Sequence, residues 1–427
     1  MSSPPRFEGR ADHLAALRSA ALQAVDPAAA VGRALAPGDL TGAERIFVVG
    51  AGKAGVAMAR AAAEICGPRL TAGVISVPQA PAQTIDRLTF IQGGHPLPTA
   101  GTLAAGRALA GLLASARLTS RDLVLALISG GGSALLEWPR AGLSLEDLQA
   151  TTSALLKCGA AIHEINVVRQ QLSEIKGGGV LRLAHPARVL GLILSDVVGN
   201  PLALIASGPT VPSLAASAEA LAILDKYHLA AQLPTAVWQC LSSPSSRPPG
   251  PSSPVVNRLI ASNRLAGEAA TARACELGFE AVWVADDWQG EASAVGGRFA
   301  ELLIRSANNE AGRPLALVAG GETTVTVHGQ GKGGRNQELA LAAALALAGR
   351  PNCVIATLAT DGVDGPTEAA GAVVTGLTLE RARALGLDPH VFLGNNDAFH
   401  FFAALGDLVV TGPTGTNVND LMFGLKY

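Results

Sequence analysis

Charge is scarce in this 427-residue chain: Asp, Glu, Lys and Arg make up 15% of it, and lysine occurs only as Lys53, Lys157, Lys176, Lys226, Lys332 and Lys426. The formal net charge of -2 supplies no basic field to steer the chain onto nucleic acid or an anionic membrane surface. Its five cysteines, Cys66, Cys158, Cys240, Cys275 and Cys353, include no Cys-x-x-Cys pair. That excludes a zinc knuckle and a disulfide framework, and suits reduced thiols. The longest apolar run, "LALAAALALA" from Leu339, falls far short of the ~18 residues that span a bilayer. The opening "MSSPPRFEGRADHL" has no apolar core for a secretory signal. The expectation is a soluble, cytoplasmic protein with no membrane or nucleic-acid partner; its oligomeric state is open, with a homodimer as the candidate.

What the chain has instead is apolar residues, 49% of the total, enough for large cores; its length makes two domains the default. Short apolar runs such as "RIFVVG", "AGVISV", "DLVLALIS" and "RVLGLILS" alternate with Ala- and Leu-rich helical stretches. Continuous apolar strands between helices read as α/β, with a parallel sheet covered by helices on both faces. The stretch "SSPSSRPPGPSSP", Ser242 to Pro254, cannot hold a regular element. It divides the chain into an N-terminal Rossmann-like domain (1–243), a linker or long loop (244–254) and a C-terminal α/β domain (255–427). Whether the tail returns to the first domain is open. "TVTVHG" alternates, which predicts a mixed sheet in the second half.

In such folds chemistry sits on loops leaving the carboxyl ends of strands. Here Gly50-Ala51-Gly52-Lys53, Ser129-Gly130-Gly131-Gly132-Ser133, Ser195-Asp196 through Gly199-Asn200, Gly320-Gly321-Glu322, Asp361 through Asp364, and Thr411 through Asn417 each follow an apolar run. The first carries the Gly50-x-Gly52-x-x-Gly55 spacing of a dinucleotide-binding turn, which needs an acid about 20 residues on to bind the ribose. The next strand, "AGVISV", runs into Pro78 and Gln79 instead. Three readings of the turn stay open: a nicotinamide site, a tight turn with a solvated lysine, and a helix N-terminus facing an anion. A cation opposes the macrodipole in a first helical turn, and a bound anion would compensate; that favours the third reading.

"GKGGRNQE", Gly331 to Glu338, repeats the logic, with Arg335 opening an Ala/Leu helix and suited to gripping an anion bidentately. "NVVRQQLSEIKGGG" sets Arg169 and Lys176 on one face of an expected helix with a glycine cap. Asp196, Glu322, Asp361 and Asp364 are candidate carboxylates for orienting a hydroxyl or holding Mg²⁺, with helix capping as the alternative for the Asp residues. His95 reads as ordering a Pro/Gly loop. No Gly-x-Ser-x-Gly elbow surrounds Ser133.

From about Ile46 to Leu421 the chain resembles the class-II (MOFRL-type) glycerate 2-kinases. The likeness rests on "VVGAGKAGVAMA", "GGHPLPTAGTLAAGRAL", "LISGGGSALL", "GAAIHEINVVRQQLSEIKGGG", "LILSDVVGN", "IASGPTVP", "GGETTVTVHGQGKGGRNQELALA", "ATDGVDGPTEAAGA" and "GDLVVTGPTGTNVNDL". The resemblance implies ATP- and Mg²⁺-dependent phosphorylation of the 2-hydroxyl of (R)-glycerate, by two α/β domains with the active site in a cleft between them. Lys53 and Arg335 are the implied catalytic pair, with Asp196 expected to orient or deprotonate the hydroxyl. Gly52, the Ser129–Ser133 loop, Asn200, Glu322, Thr414 and Asn417 are expected around substrate and phosphates, and Asp361 and Asp364 at the metal. Two departures stand out: Gln170 where many members carry lysine, and Gly199-Asn200 where many carry Gly-Asp. The competing classes are an NAD(P)H-dependent hydroxypyruvate reductase and a non-catalytic nucleotide-binding module.

Overall fold

The computed structural model describes residues 8–213, 216–243, 252–306 and 312–427. The chain forms two compact units, one of residues 27–260 and one of residues 261–427 together with 1–26. Most of the expected linker, residues 244–251, lies outside the described residues.

The unit of residues 27–260 is built on β1 (Arg45–Ala51), β2 (Leu70–Val77), β3 (Leu88–Gln92), β4 (Asp122–Ile128), β5 (Arg188–Leu194) and β6 (Val255–Ala261), in the order β3-β2-β1-β4-β5-β6. Strands β1 to β5 pair in parallel. β1, β4 and β5 are buried almost throughout, as continuous apolar runs require when both faces are covered. Val49, Val124, Ala126 and Ile128 share one core with Leu109 and Leu113 of the helix Ala100–Ser115. The chain winds outward from β1 through β3, then crosses back to β4 and winds the other way. That reversal leaves a crevice at the carboxyl ends of β1 and β4, and the register puts Ala51 level with Ile128 there. A separate helical core gathers Leu148, Leu155, Ile165, Val168, Leu224 and Val237.

The second unit holds β7 (Glu280–Trp283), β8 (Trp288–Glu291), β9 (Leu315–Thr324), β10 (Cys353–Ala359), β11 (Gly371–Thr375), β12 (Leu408–Val409) and β13 (Asp420–Lys426). The order is β12-β11-β10-β13-β9-β7, with β8 also on β9. β7 and β8 run parallel to β9, and the remaining pairs are antiparallel, so the sheet is mixed as expected. The antiparallel partners are not the alternating "TVTVHG" stretch, which after Thr324 lies beyond the end of β9. Its amides go to side chains instead: Thr326 N–H donates to Glu291, and the N–H groups of His328 and Gly329 donate to Asn396 Oδ1. The C-terminal tail supplies β13 between β9 and β10 of this same sheet.

One expected helix is shorter than its periodicity suggests. It spans Ile162–Leu172, so Arg169 lies on it and Lys176 does not. Ser173 ends it in extended geometry, and Lys176 is fully buried against Glu137. No described helix is long and apolar enough to cross a membrane.

Phe299 is wholly buried beneath β13, edge-on to Trp288 with ring centroids 5.9 Å apart. Phe299→Ala should therefore cost about 3–5 kcal/mol of stability, read as a lower urea midpoint for this unit's transition.

Candidate functional site

In the unit of residues 27–260, three loops meet at the crevice. The turn after β1 is tied to the loop after β4 by three bonds: Ser129 N–H to Ala51 O (3.0 Å), Lys53 N–H to Gly130 O (2.9 Å) and Ala54 N–H to Ser129 Oγ (3.1 Å). Gly52, at φ +141°, approaches Ser129 so closely that a Cβ would land on its hydroxyl. Gly55 lets the helix Gly55–Cys66 sit on β2, where a Cβ would meet Ile75 and Val77 at 3.0 Å. Ser129 is thus buried and spent on the turn, whereas Lys53 is exposed at the mouth with no salt bridge among the described residues.

Other groups face the same spot. A Cβ at Gly131 would stand 2.9 Å from the His95 ring and 3.5 Å from Lys53 Cε, and one at Gly130 would overlap the Asp196 carboxylate. Asp196 is half-buried at the end of β5, and His95 has its pKa lowered by desolvation and by the Lys53 ammonium. His95 therefore belongs to the site, although its Pro/Gly surroundings read as a plain loop. Ser133 Oγ lies 2.9 Å from Ser207 Oγ, which donates to Asn166 Oδ1 at 2.6 Å. Ala206 and Ser207 both hold positive φ, +50° and +60°, beneath the glycine loop. Non-glycine residues rarely adopt that geometry, and no sequence signal marked them. Asn200 also has positive φ (+51°) and turns the chain after Asp196.

The second unit places Arg335 at the start of the helix Arg335–Leu347. Its Nε and Nη2 donate to the two oxygens of Asp420, at 2.6 and 3.1 Å, and its Nη1 reaches Glu322 at 3.4 Å. Burial works against the guanidinium, yet Asp420 outweighs it and holds the pKa above its ordinary value. Burial pushes the Asp420 carboxyl up to about 6, against the opposite pull of the Arg335 guanidinium.

Asp364 caps the same helix. Its oxygens accept from the N–H groups of Asn336 (3.0 Å) and Gln337 (2.9 Å) and from both side-chain amides. A buried carboxylate so engaged does not fit an open Mg²⁺ ligand, which must offer lone pairs to the ion. Asp361 is half-buried and spends one oxygen on Val363 N–H (3.0 Å). No cluster of three His, Cys, Asp or Glu arranged for a metal ion occurs among the described residues. Thr414 donates to Thr360 O at 2.5 Å, and Asn417 Oδ1 accepts from Asn419 N–H at 3.1 Å, so both brace their loop.

The chain from residue 13 to 242 matches a domain of unknown function (DUF4147), and 315 to 420 matches the MOFRL family. It is 40% identical to a Thermotoga maritima D-glycerate 2-kinase, over 90% of this chain and 91% of that protein. The chain belongs to the MOFRL-type glycerate 2-kinase family. A solved glycerate kinase structure from Thermotoga maritima superposes on 98% of this chain and 100% of its own, with a TM-score of 0.91 at 39% identity. An Agrobacterium vitis relative carries the provisional name hydroxypyruvate reductase, at 41% identity over 88% of this chain and 98% of its own length.

Two further groups of this glycerate 2-kinase family member escaped the sequence reading. Asp420, the first residue of β13, could have been suspected as an acid leading an apolar strand. The Asn395-Asn396-Asp397 turn accepts from the N–H groups of Gln330, His328 and Lys332, and so holds the approach to Arg335. No periodicity points to it. Asp420→Asn keeps the shape but removes the charge facing Arg335. The variant should lose about 1–3 kcal/mol of stability, less than a fully buried pair because Arg335 is 34% exposed. It should also lower turnover, as Arg335 is no longer held in one place. Chemical denaturation and steady-state kinetics check the two effects separately.

Proposed function

We propose that this chain transfers the terminal phosphoryl group of ATP to the 2-hydroxyl of (R)-glycerate, releasing 2-phosphoglycerate and ADP. The observation that carries the reading is Lys53. It is an exposed cation at a helix N-terminus, beside glycine-rich loops at the strand-order reversal of a parallel sheet, in a family whose curated members include glycerate 2-kinases. A phosphoryl group in transfer spreads negative charge over its three outer oxygens. Fixed cations and N–H groups aimed there stabilise the transition state more than the ground state.

In this mechanism the C2 oxygen attacks the γ-phosphorus in line. The new O–P bond forms as the bond to the β-phosphate oxygen breaks, and the hydroxyl proton passes to Asp196. Lys53 and the N–H groups of the Ser129–Ser133 loop neutralise the transferring group. Arg335, held by Asp420, is the cation the second unit offers to an anionic group. Mg²⁺ enters with the nucleotide as part of the substrate, and Asp361, unlike the helix-capping Asp364, retains an oxygen to face it. Gly52, Asn200, Thr414 and Asn417 act by shaping loops rather than through their own polar atoms.

The second reading, NAD(P)H-dependent reduction of hydroxypyruvate, is favoured by the name of the Agrobacterium vitis relative. Against it, β2 ends at Val77 before Pro78 and Gln79, where a ribose-binding acid is needed. ADP release with ATP, Mg²⁺ and (R)-glycerate should be robust, and NADH should not be consumed on adding hydroxypyruvate. The opposite pair of results would make the protein a reductase, and nucleotide binding without either product a binding module. Lys53→Ala should cut kcat by about 100-fold or more with unchanged circular dichroism; near-normal turnover would remove that lysine from the mechanism.

A further inference from the structure

Beside the Ser133 loop the structure sets two cations, the buried Lys176 and the half-buried Arg169, against the carboxylate of Glu137. The helix Ile162–Leu172 presents Asn166 and Gln170, one turn apart, to the 203–207 segment, and Arg169 lies three residues after Asn166 on the neighbouring part of that helix face. Asn166 accepts from Ser207, which contacts Ser133, and Gln170 donates to the carbonyls of Ala203 (3.1 Å) and Ser207 (3.3 Å). Both amides are therefore occupied in holding the segment under the glycine-rich loop. Arg169, between them in sequence, makes no hydrogen bond or salt bridge among the described residues, although its side chain is half-buried and burial pulls its pKa down. Glu137 is the carboxylate whose field it feels, and Glu137 is already taken by the fully buried ammonium of Lys176. Two cations thus share one anion. A guanidinium partly withdrawn from water with no protein partner for its donors loses hydration it does not recover, and a planar carboxylate that accepts two of them in parallel restores those bonds.

We infer that Arg169 binds the carboxylate of the acceptor, and so sets the specificity of this chain for hydroxy acids over neutral polyols. The inference rests on the kinase reading for the identity of the acceptor, and adds to it the group that recognises the acid end. The arrangement has a clear division of labour. Lys176 neutralises Glu137, Asn166 and Gln170 hold the floor of the glycine loop, and Arg169 alone keeps its charge for a ligand. The acceptor's carboxylate anchored at Arg169 would fix where its neighbouring hydroxyl lies relative to the Ser133 loop. A neutral molecule of the same shape would leave the guanidinium unpaired.

The test compares wild type, Arg169→Met and Arg169→Lys on (R)-glycerate and on its neutral amide, glyceramide, with ATP varied separately. In Arg169→Met the KM for glycerate should rise about 100-fold, the KM for ATP should stay within about twofold, and the preference for glycerate over glyceramide should collapse toward unity. Arg169→Lys keeps the charge but not the fork, and should fall between. Methylguanidinium should restore part of the lost glycerate activity to Arg169→Met. An unchanged KM for glycerate, a retained preference over glyceramide, or a matching rise in the KM for ATP would each overturn the assignment. Thermal shifts with glycerate alone are read in parallel. If wild type makes no ADP but glycerate stabilises it and not Arg169→Met, the carboxylate site stands and the kinase reading falls. If glycerate stabilises both equally, the site falls whatever the kinetics.

Discussion

The unit of residues 27–260 depends on how closely two strand ends can approach. β1 and β4 finish level, and Lys53 N–H reaches Gly130 O while Ser129 N–H reaches Ala51 O. Such mutual bonding between two consecutive turns leaves no volume for a side chain at Gly52 or Gly130, where a Cβ would strike Ser129 or Asp196. The same contact makes the chemistry local. Once those backbones are joined, Lys53 of the first turn stands close to His95 across Gly131, and Asp196, from the end of β5, closes on Gly130. Three loops far apart in the sequence become one surface because glycine permits the approach, not because any attraction between their side chains draws them in.

The second unit reaches a fixed cation by a different route. Its acids are used inside the protein rather than at a ligand: Asp364 closes the first turn of the helix that begins at Arg335, and Asp420 grips the guanidinium of Arg335. Desolvation raises the cost of keeping both carboxylates charged, and hydrogen bonds from Asn336, Gln337 and Arg335 offset it. A long flexible side chain gains little from a single exposed ion pair, but a fork held by a buried carboxylate retains its orientation. Glu322 then touches Arg335 from the exposed side, and can yield its place to an incoming anion without disturbing the buried pair.

What the sequence made legible follows from the range of each interaction. The parallel sheet was readable because β1, β4 and β5 are uninterrupted apolar runs, and burial on both faces demands that pattern. The loops at their carboxyl ends were readable because glycine clusters are conspicuous. Roles within those loops were not. Ser129 and Ser133 look alike as letters, yet one is buried on Ala54 N–H and the other contacts Ser207. Asp361 and Asp364 are three positions apart, yet only Asp364 caps a helix that begins well before it in the chain. The helix through Arg169 looked long enough to include Lys176 because residues seven apart share a face, but it ends at Leu172 with Ser173 extended, and Lys176 turns inward to Glu137. Long-range partners decided each of these, and short-range spacing carries no information about them.

The lysines make the same point in physical terms. Lys176 is paired with Glu137, Lys226 with Glu164, and Lys332 lies over the Phe399 ring within reach of Glu368. Lys426 donates to the carbonyls of Ile304 and Ser306, which close the helix Ala292–Arg305. Lys157 sits in the last turn of its helix, where the macrodipole welcomes a cation. Lys53 has no such account. It stands at the wrong end of a helix for its charge, exposed, and makes no salt bridge among the described residues. Of the six lysines it is the one whose charge opposes the helix dipole beside it, and that opposition is what the proposed phosphate contact would relieve.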